Sequence, residues 1–333
     1  MLFFVICACF ALFPENVLLG AQSGLALCIN AIIPSLLPFM LASDCLIKSG
    51  FSRPLGAAVS KVVTPFTGIS PAGCVCLVTG LLGGFGAGAR AVYESYEENA
   101  ITKDEAQKLL PVCNNAGPLF VIGTVGISFF SSAQIGLRLL AVHIITAFII
   151  GILIFYTAPR KKVSVKEEWK IYKKNRRGIS GVIAKSAATT GGAIVTVCVF
   201  VITFSAILEV IPKGQMANIA GIFEVMRGCA ELARGGHSAL PMVSAVLFWG
   251  GISMHMQANA LCRGKLSILP CIIWRAAGGV IAYILTRAAL SDSASLLFLL
   301  IFTAAFFTTV FLIKSIISRG FFRQPLSRQR RRS

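Results

Sequence analysis

Cys113-Asn-Asn-Ala-Gly-Pro-Leu-Phe120 sets the carboxamides of Asn114 and Asn115 side by side in an apolar stretch, just ahead of Gly117 and Pro118. A carboxamide donates and accepts hydrogen bonds, so this pair can hold a carboxylate, a ring nitrogen or a hydroxyl. Pro118 lacks a backbone donor and opens the chain beside them; the plainer alternative is that both amides only cap that break. Gly250-Gly-Ile-Ser-Met-His-Met-Gln-Ala-Asn259 is a second polar interruption. On a regular helix Ser253 and Gln257 share one face, and His255 and Asn259 another. An imidazole titrates near neutrality and suits proton coupling, although a hydrogen-bonded packing role accounts for His255 equally well. Glu224 adds an acid, for which pairing with Arg227 or Arg275 is the structural alternative, and Arg275 lies within an apolar segment where it needs a carboxylate, water or substrate.

Two further stretches concern backbone groups. Pro34 and Pro38, four residues apart in Pro34-Ser-Leu-Leu-Pro-Phe39, each remove a donor and free a carbonyl, so a kink or break is expected there. Gly80 to Arg90 contains Gly83, Gly84, Gly86 and Gly88 but not the Lys-Ser or Lys-Thr of a phosphate loop. Such glycine density permits close helix contact or an unwound segment whose amides face an anion. Arg90 follows, either as counter-charge or as an arginine snorkelling to the interface.

Catalytic patterns are missing. His143 and His237 are isolated, no Ser-His-acid set stands out, and the sequence has no His-Glu-x-x-His motif. Cys74-Val-Cys76 is too closely spaced for a zinc knuckle, and most of the 11 cysteines fall in apolar runs as small filler. The expectation is a protein that is not an enzyme and uses no cofactor or metal.

These residues must be positioned by membrane helices. Of the 333 residues, 56% are hydrophobic and 13% charged, against about 25% charged in an ordinary soluble domain; a soluble fold could not hide that much apolar surface. The apolar runs are too long and unalternating for barrel strands. Expected segments are 1–13, 17–33, 35–47, 56–78, 109–130, 134–157, 187–209, 238–261, 267–289 and 293–313, several interrupted. Segment 1–13 has no basic leader and reads as a short span or an uncleaved anchor rather than a cleaved signal peptide. Thr102 and Glu105 form a capping box for a short surface helix.

The net charge of +18 is concentrated. Between Arg160 and Lys185, ten Lys or Arg face only Glu167 and Glu168, and seven more with no acid follow from Lys314 onward. Basic loops beside apolar spans stay in the cytoplasm, which explains the charge better than nucleic-acid binding. The organisation expected is a first transmembrane half over 1–157, a basic cytoplasmic linker over 158–185, a second transmembrane half over 186–313 and a basic tail over 314–333. For both basic regions to share one side, 216–234 must not cross completely. Counting 56–78, 109–130 and 134–157 as full spans puts the weaker patch Lys48, Arg53 and Lys61 outside. A glycine-rich segment followed by an interrupted helix occurs in each half, at 80–90 with 114–118 and at 221–228 with 250–257. Paired broken segments point to a transporter site near the membrane midplane.

Taken in order, Pro34-Ser-Leu-Leu-Pro-Phe39, Gly84-Phe-Gly-Ala-Gly-Ala-Arg90, Asn114-Asn-Ala-Gly-Pro-Leu-Phe-Val-Ile-Gly123, Phe223-Glu224 with Gly228, Gly250-Gly-Ile-Ser-Met-His-Met-Gln257 and Arg275 resemble the YlbJ-type sporulation integral membrane proteins. That group is related to the membrane family with nucleoside-recognition, or Gate, domains. The chain departs from the pattern at Gly86, where proline is usual, and at Ala116, where serine is common. The resemblance implies passage of dipicolinic acid, a planar aromatic dicarboxylate, across the outer forespore membrane of an endospore former. A structural or assembly role in the sporulation membrane and a nucleoside transporter are the rival readings. The partners implied are the lipid bilayer and a small organic anion, with proton or cation coupling and a homo-oligomer both left open.

Overall fold

The computed structural model describes residues 10–156, 164–175, 177–211 and 219–289. The expected span 293–313, the basic tail 314–333 and most of segment 1–13 lie outside these. Among the described residues every regular element is helical, and four helices are long and apolar enough to cross a membrane: Ala133–Phe155, Ile179–Glu209, Gly236–Leu261 and Leu269–Ala289. The chain is an all-α polytopic membrane protein.

Helix α1 (Pro14–Leu27) passes through a π-helical segment, Cys28–Ile32, into α2 (Ile33–Lys48) without interruption. The break expected at Pro34 and Pro38 is therefore absent. The wide π turn lies just before Pro34, so the spare carbonyls are accommodated by a register change within a continuous helix. Gly20 and Gly24 let α1 lie against Ser205, Ala206 and Ile202: a Cβ on Gly20 would stand 2.5 Å from the Ser205 carbonyl oxygen. Small residues replace hydrophobic drive as the means of helix approach in lipid.

Segment 56–78 is likewise not one straight span. It forms α3 (Ser52–Thr67) and α4 (Pro71–Gly83), bent by 93°. Gly68 ends α3 in the left-handed conformation at φ +79°, and Ser70, accepting from Gly73 N, starts α4 with Pro71 in its first turn. This bend corrects the expected sidedness of the weaker basic patch. Arg53 contacts Glu168 of the linker at 3.3 Å, and Arg177 donates to the Lys48 carbonyl at 3.0 Å, so Lys48 and Arg53 share the linker's side.

Helices α4 and α5 (Ala87–Glu97) pack together as a hairpin with its tip at Gly84–Gly86. Gly84 has φ +85° and ψ −168°, a conformation essentially restricted to glycine. Helix α6 (Lys103–Cys113), capped by Thr102 accepting from Glu105 N, one half of the expected capping box, runs inward and is buried from Leu109 on; it is more than a surface helix. After a break over 114–118 the span continues as the π-helical segment Leu119–Phe129, followed by α7 (Ala133–Phe155). The Cys113 carbonyl is held where α4, α5 and α6 meet: a Cβ on Gly80 would stand 1.6 Å from its oxygen, and one on Gly88 1.8 Å.

The linker carries α8 (Val165–Lys174), pinned by edge-on contacts among Phe51, Trp169 and Tyr172 at 5.5–5.6 Å between ring centroids. Helix α9 (Ile179–Glu209) opens the second half. There the chain turns at Glu224 into α10 (Val225–Ala233), and a span follows as α11 (Leu240–Trp249) and α12 (Gly251–Leu261), interrupted at Gly250 with φ +84°. Helix α13 (Leu269–Ala289) packs along α11.

Candidate functional site

Each half brings two chain breaks into contact. In the first, Gly117 lies on Gly84, and a Cβ on Gly84 would stand 2.9 Å from Gly117 N. In the second, a Cβ on Gly251 would stand 2.8 Å from the Phe223 carbonyl oxygen. Around these four breaks is a cavity of about 300 Å³ that draws its wall from both halves, with Gly84, Phe85 and Gly117 facing Glu224, Gly250 and Met254. That volume is at the lower end of small-molecule sites. The wall is mostly apolar, and Asn30, Thr124, Glu224 and Gln257 supply polar side chains.

The sequence candidates divide into those that line this space and those that build it. Pro34, Glu224 and Gln257 line it. Glu224 caps α10, its Oε2 accepting from Arg227 N at 2.8 Å, while the Arg227 guanidinium pairs with Glu209 and not with Glu224. Gln257 donates to Ser253 Oγ at 3.1 Å, the shared face expected from the spacing. Pro38 is exposed on α2, and Pro118 starts the π-helical segment.

Asn114 and Asn115 do not face the cavity. Asn114 Oδ1 accepts from Gly86 N at 3.0 Å and its Nδ2 donates to Met254 Sδ, tying the first hairpin tip to the second half. Asn115 Nδ2 donates to Val112 O at 2.6 Å, and its Oδ1 accepts from Arg275 Nη1 at 3.3 Å. Both amides are fully buried and committed to protein, because the break exposes backbone groups that must be satisfied where water is absent. Gly86, at φ +84°, turns the hairpin tip, and Gly88 serves the close approach to Cys113.

Arg90 is paired with Glu94 one turn on, away from the cavity. Alongside, Lys48 Nζ meets Asp44 Oδ2 and Thr189 Oγ1, each at 2.8 Å, and Glu94 at 3.9 Å. Two acids and two bases are thus balanced where α2, α5 and α9 meet. His255 is buried with its ring 4.5 Å from that of Trp249, and Trp249 Nε1 donates to the Ile222 carbonyl at 3.0 Å. Arg275 is fully buried and has no acid partner among the described residues: Nη1 reaches Pro111 O at 3.4 Å and Asn115 Oδ1, and Cζ lies 4.3 Å from the Phe248 ring centroid and 5.8 Å from that of Phe85. Sequence reasoning missed Phe85, Met254, Asn30 and Thr124. Phe85 and Met254 stand inside stretches the sequence had marked, but nothing local distinguishes a wall residue from its neighbours.

The chain is 27% identical over 311 aligned positions to the sporulation integral membrane protein YlbJ of Bacillus subtilis (strain 168), covering 81% of this chain and 76% of that protein. By sequence, the chain is YlbJ-like. No family model matches it, so the wider link to nucleoside-recognition domains finds no support there, and no solved structure matches either. The relative's description agrees with the membrane helices and with the sporulation context that the family resemblance implied.

Proposed function

We propose that this protein is a sporulation-associated membrane carrier, without enzymatic activity, that moves dipicolinic acid or a similar small organic anion across the outer forespore membrane. The observation that supports it is the cavity shared by the four chain breaks. Broken helices lining an internal space are how helical carriers present backbone amides and carbonyls to a solute at membrane depth. The YlbJ-like sequence supplies the sporulation setting, and the buried guanidinium of Arg275 favours a negatively charged cargo.

Alternating access would follow from one pair of breaks rocking against the other around the cavity. Glu224, the acid in the wall among the described residues, is where proton coupling would act. In a coupled carrier Glu224→Gln abolishes the response of flux to a pH gradient and keeps downhill flux; in an uncoupled one it changes neither.

Uptake into proteoliposomes tests the proposal. Saturable dipicolinate flux is expected, lost in Gly123→Trp, which fills the cavity from a position where a Cβ meets only Leu119 Cδ1 at 3.7 Å. Flux of nucleosides but not dipicolinate would transfer the protein to the nucleoside reading. Absence of flux for both, from correctly inserted protein, would leave the assembly role.

A further inference from the structure

Arg275 is held by one of its two terminal nitrogens only. Nη1 points at Pro111 O and Asn115 Oδ1, while Nε and Nη2 have no partner among the described residues and are sealed from solvent. Those two groups form the side edge of the guanidinium, the fork whose parallel N–H bonds match the two oxygens of a carboxylate. Arg90 and Arg227 also leave Nε unmatched, but each has a carboxylate on its guanidinium, whereas Arg275 has none among the described residues, and a buried charge without compensation is costly.

The surroundings fix the guanidinium without neutralising it. Phe248 lies against one face, and its ring comes that close because residue 278 is glycine: a Cβ there would stand 2.1 Å from Phe248 Cε1. The same ring lies 5.1 Å from that of His143, whose Nε2 accepts from Ala116 N, so the ring proton is on Nδ1, a second buried donor with no partner among the described residues. Phe85, also near the guanidinium, is itself part of the cavity wall.

We infer that the free Nε/Nη2 edge of Arg275 is a carboxylate-binding subsite behind the cavity, and that Phe85 is the movable side chain separating the two. A bound solute places one carboxylate on this edge when Phe85 turns aside, and its ring or second acid group stays in the cavity. The selected class is therefore carboxylates on a small planar body, not neutral solutes of the same shape. This deepens the carrier reading and rests on it for the origin of the solute.

Calorimetry on the full chain in detergent, titrated with pyridine-2,6-dicarboxylate, benzoate and the neutral pyridine-2,6-dicarboxamide, tests the inference. Both acids are expected to bind and the diamide not to bind. Arg275→Lys, which keeps the charge and loses the fork, should weaken acid binding at least about tenfold, the scale of one lost charge-assisted contact. Phe85→Ala, away from the Arg275 hydrogen bonds, should speed acid association in stopped flow and leave the diamide unbound; it carries the test if Arg275→Lys does not fold. Equal binding of acid and diamide, unchanged acid affinity in Arg275→Lys, unchanged association in Phe85→Ala, or no acid binding to the parent each overturns the inference. Acid binding that depends on Arg275 but is unaccompanied by flux upholds the subsite and removes the carrier; flux indifferent to Arg275 does the reverse.

Discussion

Between α2, α5 and α9 the buried Asp44, Arg90 and Glu94 and the partly buried Lys48 form acid–base pairs, whereas Arg275 on α13, the most completely buried of the five, meets no acid among the described residues. Both regions lie inside an apolar helical protein, the first toward the linker's side, and a charge held there is tolerated only if something compensates for it. In the first region the compensation is internal, and Thr189 adds a hydroxyl shared by Lys48 and Asp44. In the second it is limited to a carbonyl, an amide oxygen and aromatic faces. A paired network fixes helices relative to one another; a cation without its partner is a place where one can arrive.

The largest expected effect comes from breaking the paired side. Glu94→Leu leaves Arg90 buried beside apolar surface and should cost about 3–5 kcal/mol of stability, read from thermal unfolding in detergent. Arg275→Met removes a charge with no acid to strand, and in the absence of any carboxylate should cost only about 1 kcal/mol, the scale of one ordinary hydrogen bond. Equal losses in the two variants would mean that Arg275 is as structural as Arg90, and the contrast would vanish.

Gly278→Ala sharpens the unpaired side. The added methyl displaces the Phe248 ring from beneath the guanidinium, with an expected cost of about 1–3 kcal/mol from overpacking and weaker binding of benzoate by calorimetry. Full retention of both stability and affinity would show that the ring does not hold Arg275 in place.

The smallest effect belongs to the exposed rim of the paired side. Lys265 hydrogen-bonds Glu97 at 2.9 Å and holds its carboxyl below the ordinary 4.5. The folded protein then binds fewer protons than the unfolded chain near that pH, so the contribution is complete above 4.5 and lost as pH falls through the lowered value. Glu97→Gln should flatten that acid limb in unfolding measured against pH, and added salt should flatten it in the parent. An acid limb identical in parent and variant would show that the pair does nothing measurable.

Where the chain breaks was legible, because the causes are local: the glycines at 84, 86 and 250, the proline at 118, and the Thr102 cap all act within a few residues. The 93° bend was missed, because the continuous apolar run over 56–78 hid the stop signal at Gly68 and the start signal at Ser70-Pro71. Pro34 and Pro38 misled in the opposite direction, since whether a proline breaks a membrane helix depends on what re-satisfies the freed carbonyls, here a π turn. Partners were not legible. Asn115 and Arg275 are 160 positions apart, whereas Arg90 and Glu94 are only four apart, and composition alone gives no reason to prefer one distance to the other.

Cys113 presents its carbonyl to Gly80 and Gly88 so closely that no side-chain atom fits on either. Clamped backbone to backbone at three points, the tips of the first hairpin and the first broken span have no soft layer between them along which to slide. Any working motion of the protein must then carry this half as one solid piece, moving against the other half, where residues 223 and 251 make a close backbone contact of their own.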